Sequence, residues 1–118
     1  MHEMSLMENL LSVATESLAH YTVKSVQRLT VSAGVLANIM PDAFDFAFAM
    51  QREDTIFAGA ELLVNKAPIQ ASCRNCSCEY ESFSIPFTCP ACGNEAAEIL
   101  HGAEVFLESI DFEEVEKQ

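Results

Sequence analysis

At 118 residues the chain is long enough for one domain, or for a domain plus a module too small to fold alone. Half of its residues are hydrophobic, so a core can form, while eighteen acidic residues against six basic ones set the formal net charge at -12. That balance argues against a nucleic-acid backbone as partner, because such binding depends on Lys and Arg displacing counterions, and no apolar run reaches the length of a membrane span.

The chain opens Met1-His2-Glu3. A free terminal amine, a deprotonated His2 amide and the His2 Nδ1 close a five-membered and a six-membered chelate ring on one ion. This three-nitrogen array suits square-planar Ni(II) or Cu(II), and Glu3 adds a fourth amide or a carboxylate. Alone, the tripeptide is short enough to arise by chance. Glu3 also puts an acid where a signal peptide carries lysines, so the expected location is the cytoplasm.

Ser5-Leu6-Met7-Glu8 has the form of a capping box, which predicts a helix starting just after the tripeptide and leaving Met1 to Glu3 outside it. Met7, Leu10, Leu11, Ala14 and Leu18 then recur at spacings of three and four, one apolar stripe. From Val23 to Ala33 the period becomes two. Leu29, Val31 and Ala33 alternate with Arg28, Thr30 and Ser32, as in a half-buried strand that Gly34 ends. Pro41 suits the first position of a second helix, with Asp42 and Asp45 in its opening turn, and Phe44, Phe46, Ala47, Phe48 and Met50 read as core. Residues 56–70 form a second strand candidate, with Ala60, Leu62 and Val64 on one face and Pro68 near its end. Residues 103–112 form a third, whose apolar phase shifts between Leu107 and Ile110, as at a bulge or where both faces are buried. The order helix, strand, helix, strand, cysteine segment, strand points to an α+β fold with helices on a small mixed sheet. An α/β domain is expected to comprise residues 1–70 and 99–118, and a cysteine module residues 71–98.

All five cysteines fall between Cys73 and Cys92, an odd number that fits a metal site in a reducing compartment better than a disulfide framework. Cys73-Arg74-Asn75-Cys76 and Cys89-Pro90-Ala91-Cys92 are two C-x2-C pairs twelve residues apart. Together they offer four thiolates to a tetrahedral ion, structural zinc before iron, and one pair alone would serve a redox dithiol. Tyr80, Phe83, Ile85 and Phe87 look too few for a core, so the metal is expected to hold the module together; zinc binding contributes about 10 to 16 kcal/mol in small fingers. Cys78 reads as a spare thiol, able to exchange into the site or to crosslink two molecules on oxidation. His20 and His101 read as ordinary polar residues, with His101 placed to sense pH.

These features resemble one known family. The opening Met1-His2-Glu3-Met4-Ser5-Leu6, the strand end Gly34-Val35-Leu36, the helix from Pro41 to Phe48, Gly59-Ala60-Glu61-Leu62, the two knuckles and the closing Ser109-Ile110 are similar to the HypA/HybF nickel metallochaperones of nickel-iron hydrogenase maturation. The resemblance implies nickel held by the Met1 amine, the His2 amide and ring, and Glu3, and zinc held by Cys73, Cys76, Cys89 and Cys92. It implies a nickel-binding α/β domain of two helices on a small three-stranded mixed sheet, with the zinc-ribbon-like module inserted between the second and third strands. It also implies delivery of nickel to a hydrogenase large-subunit precursor with a GTPase accessory protein, urease being a further client in some members. Two departures stand out: Ser77 and Cys78 follow Cys76 where glycine is usual, and Asp111 follows Ile110 where glutamate is usual.

A zinc-ribbon adaptor for nucleic acid or the transcription machinery is the alternative of a different class. Against it, residues 71–98 carry one base, Arg74, and the acids Glu79, Glu81, Glu95 and Glu98. A rubredoxin-like electron carrier is a third reading. No nucleophile with a base, open metal site or phosphate loop marks an enzyme. Monomer and homodimer both fit the sequence.

Overall fold

The structure is a computed structural model that describes residues 3–115. The elements run α1 (Glu3–Ser17), β1 (Val23–Gly34), a 3-10 turn (Val35–Ala37), α2 (Pro41–Gln51), β2 (Glu61–Ala67), β3 (Ile69–Cys73), β4 (Glu79–Ser82), β5 (Ala97–His101) and β6 (Val105–Glu114). The chain divides into two compact units. One takes the residues up to Ser32, Ile39–Asn65 and those from Phe106 onward, and the other takes Ala33–Asn38 and Lys66–Val105.

The first unit is the α+β body read from the sequence, two helices with a three-stranded sheet in the order β2-β1-β6. Its interior is built from Met7, Leu10, Leu11, Ala14 and Leu18, from Val26, Leu29 and Val31, and from Phe44, Ala47 and Phe48. The stripe on α1 is therefore the buried one. The helix itself begins at Glu3, two residues before the expected cap. Ser5 is helical and so cannot act as N-cap, and Glu3 takes the first turn, where the helix dipole favours a carboxylate. Glu3 is thus part of α1, not outside it.

Three further expectations change. On β1, Thr30 and Ser32 are buried like their apolar neighbours, because this strand is central: Asn65 of β2 donates to Glu108 of β6 across it at 3.2 Å. On α2, only Phe44, Ala47 and Phe48 are core, whereas Phe46 and Met50 are more than half exposed. Eleven residues of helix turn through three revolutions, and apolar side chains spread over that range cannot all face inward. The strand expected over residues 56–70 is two strands: residues 56–60 form turns, and Pro68, which has no N–H to donate, separates β2 from β3. The phase shift in β6 is real, with Val105, Leu107, Ile110 and Phe112 half-buried between exposed acids.

The second unit contains more structure than its few large apolar residues led us to expect. β3 pairs antiparallel with both β4 and β5, and Leu100 is an extra residue in β5 where the register shifts between Gln70 and Ala71. Ile69, Ala71, Cys73, Tyr80 and Cys89 form a small core, with Phe87, Ala97, Val35 and Leu36 packed on it. Phe83 and Ile85 stay outside. Residues 33–38 join this unit through backbone bonds from Gly34 N–H to Glu104 O at 2.9 Å and from Leu36 N–H to Gly102 O at 2.8 Å. That approach requires glycine, since a Cβ at residue 34 would lie 2.1 Å from Gly102 O. Gly34→Ala should therefore lower the stability of the protein by about 1 to 3 kcal/mol. Denaturant unfolding followed by circular dichroism tests this, and an unchanged midpoint and slope would contradict it.

Candidate metal centre

Each cysteine pair sits on a tight reversal with the same backbone wiring. In the first, Ser77 N–H donates to Cys73 O at 2.9 Å and Cys73 N–H donates to Cys78 O at 2.8 Å. In the second, Gly93 N–H donates to Cys89 O at 2.8 Å and Cys89 N–H donates to Asn94 O at 3.0 Å. The fifth residue of each knuckle has left-handed φ, +62° at Ser77 and +75° at Gly93. Glycine adopts that conformation freely, whereas serine there bears a steric cost of about 1 kcal/mol. The departure noted at Ser77 is thus a strained residue in an unchanged turn.

The two knuckles bring Cys73, Cys76, Cys89 and Cys92 together, with all four sulfurs within 4.8 Å of one another. The close pairs cross between knuckles, Cys73 to Cys92 at 3.5 Å and Cys76 to Cys89 at 3.6 Å. A tetrahedron with zinc–sulfur bonds of about 2.3 Å has sulfur–sulfur edges of roughly 3.8 Å. The donor set and spacing therefore fit zinc. The first cysteine of each knuckle is buried and the second exposed, so one edge of the set faces the small core and the other faces solvent.

The surroundings sort the thiols. The backbone N–H of Asn94 and the Asn75 side-chain amide, 3.7 Å from the sulfur, stabilise the Cys92 thiolate and lower its pKa to about 6. Cys89 is desolvated, yet the N–H groups of Cys92 and Ala91 outweigh that and lower its pKa as well. At Cys76 the N–H of Cys78 favours the thiolate, but sharing a proton with Cys89, burial and the neighbouring sulfurs push the pKa up to about 12. Asn75 was not singled out from the sequence, where it is one of two variable residues in a C-x2-C pair. Tyr80 was undervalued, though Glu79-Tyr80-Glu81 alternates as a strand with one inward residue should; its buried hydroxyl has no partner among the described residues.

The other singled-out residues lie elsewhere. Cys78 packs on the core but is not one of the four converging cysteines. His101 Nδ1 lies 3.2 Å from Glu104 Oε1 in an exposed turn, where Gly102 N–H, with His101, lowers the Glu104 pKa. His20 is exposed just after α1. Of the nickel tripeptide, Met1 and His2 fall outside the described residues. Glu3 Oε1 lies 3.5 Å from the Met40 N–H at the start of α2.

A two-helix, three-stranded α+β unit with an inserted four-thiolate module defines a small metal-handling protein of mixed class. Residues 1–112 match the family described as "Hydrogenase/urease nickel incorporation, metallochaperone, hypA". The hydrogenase maturation factor HypA of Desulfitobacterium hafniense is 40% identical over 114 residues, covering 97% of this chain and all of that one. Its counterpart in Aquifex aeolicus is 32% identical over 113 residues, covering 96% and 98%. The solution structure of the Ni metallochaperone HypA from Helicobacter pylori shares the fold, with a TM-score of 0.69 at 23% identity over 95% of this chain and 97% of that one. The chain belongs to the HypA family of nickel-incorporation metallochaperones.

Two outcomes follow from the geometry. Replacing Ser77 by glycine should stabilise the zinc-loaded protein by about 1 kcal/mol, read as a higher denaturant midpoint; an equal or lower midpoint contradicts the strain. Zinc uptake at about pH 8 should release at least the proton held by Cys76, and the Cys92 proton joins it as pH falls toward about 6, so affinity decreases with acidification. Calorimetry in buffers of different ionisation heat measures this release. A binding heat independent of buffer would contradict it.

Proposed function

We infer that the chain captures Ni(II) at its N-terminus and passes it to a nickel enzyme during maturation, while a zinc ion held by Cys73, Cys76, Cys89 and Cys92 fixes the second unit. Family membership across residues 1–112 is the observation that carries this reading, because the match includes the opening tripeptide as well as the knuckles. Nickel is cargo: its donors are the Met1 amine, the His2 amide and ring, and Glu3. The place of Glu3 at the start of α1 supports an amide donor there, since the first N–H groups of a helix have no intrahelical acceptor. Its carboxylate is the alternative donor, in competition with the Met40 N–H.

Delivery needs a ligand set that can be replaced stepwise, and a chelate at a chain end can be invaded one donor at a time. Four protein thiolates leave no open position for a substrate, which makes the zinc structural and the protein a carrier, not an enzyme. The recipients are the hydrogenase large-subunit precursor and, upstream of it, a GTPase accessory protein, in the cytoplasm. Among the described residues no helix is long and apolar enough to cross a membrane.

The test uses protein with a native, untagged amino terminus. His2→Ala should abolish stoichiometric nickel binding in calorimetry while zinc content by metal analysis stays at the wild-type level. Wild-type nickel affinity should fall with acidification, because protons compete for the ring and the amide. Undiminished nickel binding by the variant would falsify the assignment.

A further inference from the structure

The four-cysteine set leaves one thiol beside it. The β3–β4 register runs Ile69 opposite Ser82, Gln70 opposite Glu81, Ala71 opposite Tyr80 and Ser72 opposite Glu79. The next step places Cys73 opposite Cys78, and the bond from Cys73 N–H to Cys78 O at 2.8 Å holds that pair. Facing residues of antiparallel strands project to the same side with Cβ atoms about 4.5 to 5.5 Å apart. Cys78 therefore shares the inward face of Ala71, Cys73 and Tyr80, and it packs on the core that includes Cys73 and Cys89. Its sulfur lies 3.6 Å from Glu79 O. The matching position of the second knuckle is Asn94, whose side chain accepts the Ala96 N–H at 2.7 Å. Two knuckles with the same backbone thus differ in that only the first carries an extra thiol. The zinc ligand nearest to it in sequence, Cys76, is also an exposed one.

We propose that Cys78 is a reserve zinc ligand, taking the coordination position of Cys76 when that exposed sulfur leaves the ion. The proposal rests on the four-cysteine zinc reading given above. In the exchange the bond from zinc to Cys76 Sγ breaks and one to Cys78 Sγ forms. The Cys78 thiol gives up its proton, and the Cys76 thiolate takes one from solvent. Four thiolates remain on the ion, the net charge is unchanged, and no oxidant or reductant is needed. Chemical attack on the exposed Cys76 then leaves the module loaded.

The experiment compares the full chain, Cys76→Ser, Cys78→Ser and the double variant, each loaded with zinc or with Co(II) as a spectroscopic probe. Cys76→Ser should keep zinc at the wild-type stoichiometry and show the charge-transfer bands of a four-thiolate Co(II) site. The double variant should show the weaker charge-transfer absorption of three thiolates and bind zinc about tenfold more weakly or worse. Identical behaviour of Cys76→Ser and the double variant overturns the reserve-ligand assignment. Should Cys76→Ser not fold, the folded Cys78→Ser protein decides: it should surrender zinc to a chelator about tenfold faster than wild type, and an equal rate overturns the proposal. A wild-type chain that binds no zinc, or loss of stoichiometric zinc in Cys78→Ser alone, overturns the four-cysteine reading itself.

Discussion

Bringing four sulfurs into one cluster is the constraint on which the second unit is built. Thiolates at 3.5 to 3.6 Å repel one another unless protons or a cation lie among them, so the fold has to impose their convergence from outside. It does so with two turns of the same design, each fixed by a pair of backbone bonds and a left-handed residue. Each close pair joins one knuckle to the other, so a cation at this point closes the loop between them as a cross-link would. The small core is continuous with the site, because Cys73 and Cys89 are at once members of that core and potential ligands. Metal binding and packing in this unit are consequently coupled, because Cys73 and Cys89 take part in both.

What the sequence revealed, and what it concealed, follow from the range of the interactions involved. The cysteine spacing and the apolar stripe of α1 are local patterns, and both appear in the structure as read. The start of α1 was misplaced because Ser5 and Glu8 mimic a capping box, whereas the helix uses the acid at Glu3 instead. Pro68 reads locally as the end of one strand, whereas it divides two strands that enter different sheets. The core of the second unit is hidden in the sequence because Ile69 and Tyr80 lie far apart along the chain and two of its other members are cysteines, which read as ligands. The burial of Thr30 and Ser32 was invisible for another reason. It depends on β1 being the central strand, and strand order is a tertiary fact that alternation along one strand does not contain.

The two kinds of donor also suit two kinds of task. Thiolates set by paired turns on a sheet have little freedom to rearrange, and soft sulfur with tetrahedral geometry matches zinc, which has no geometric preference of its own from d electrons. On the proposed nickel reading, amine, amide and imidazole nitrogens in a row would favour the planar geometry of Ni(II) instead, in a ligand set whose members can leave singly. Discrimination between the metals would then come from geometry and donor type, which lower the affinity of each donor set for the other ion. Among the proposed nickel donors, Glu3 alone lies within the described residues. Glu3 is both the last residue of the tripeptide and the first of a helix whose partner, α2, begins at the Met40 N–H that its carboxylate approaches. On the proposed nickel reading, donation through the Glu3 amide would leave its carboxylate with the Met40 N–H, whereas donation through the carboxylate would take it from α2.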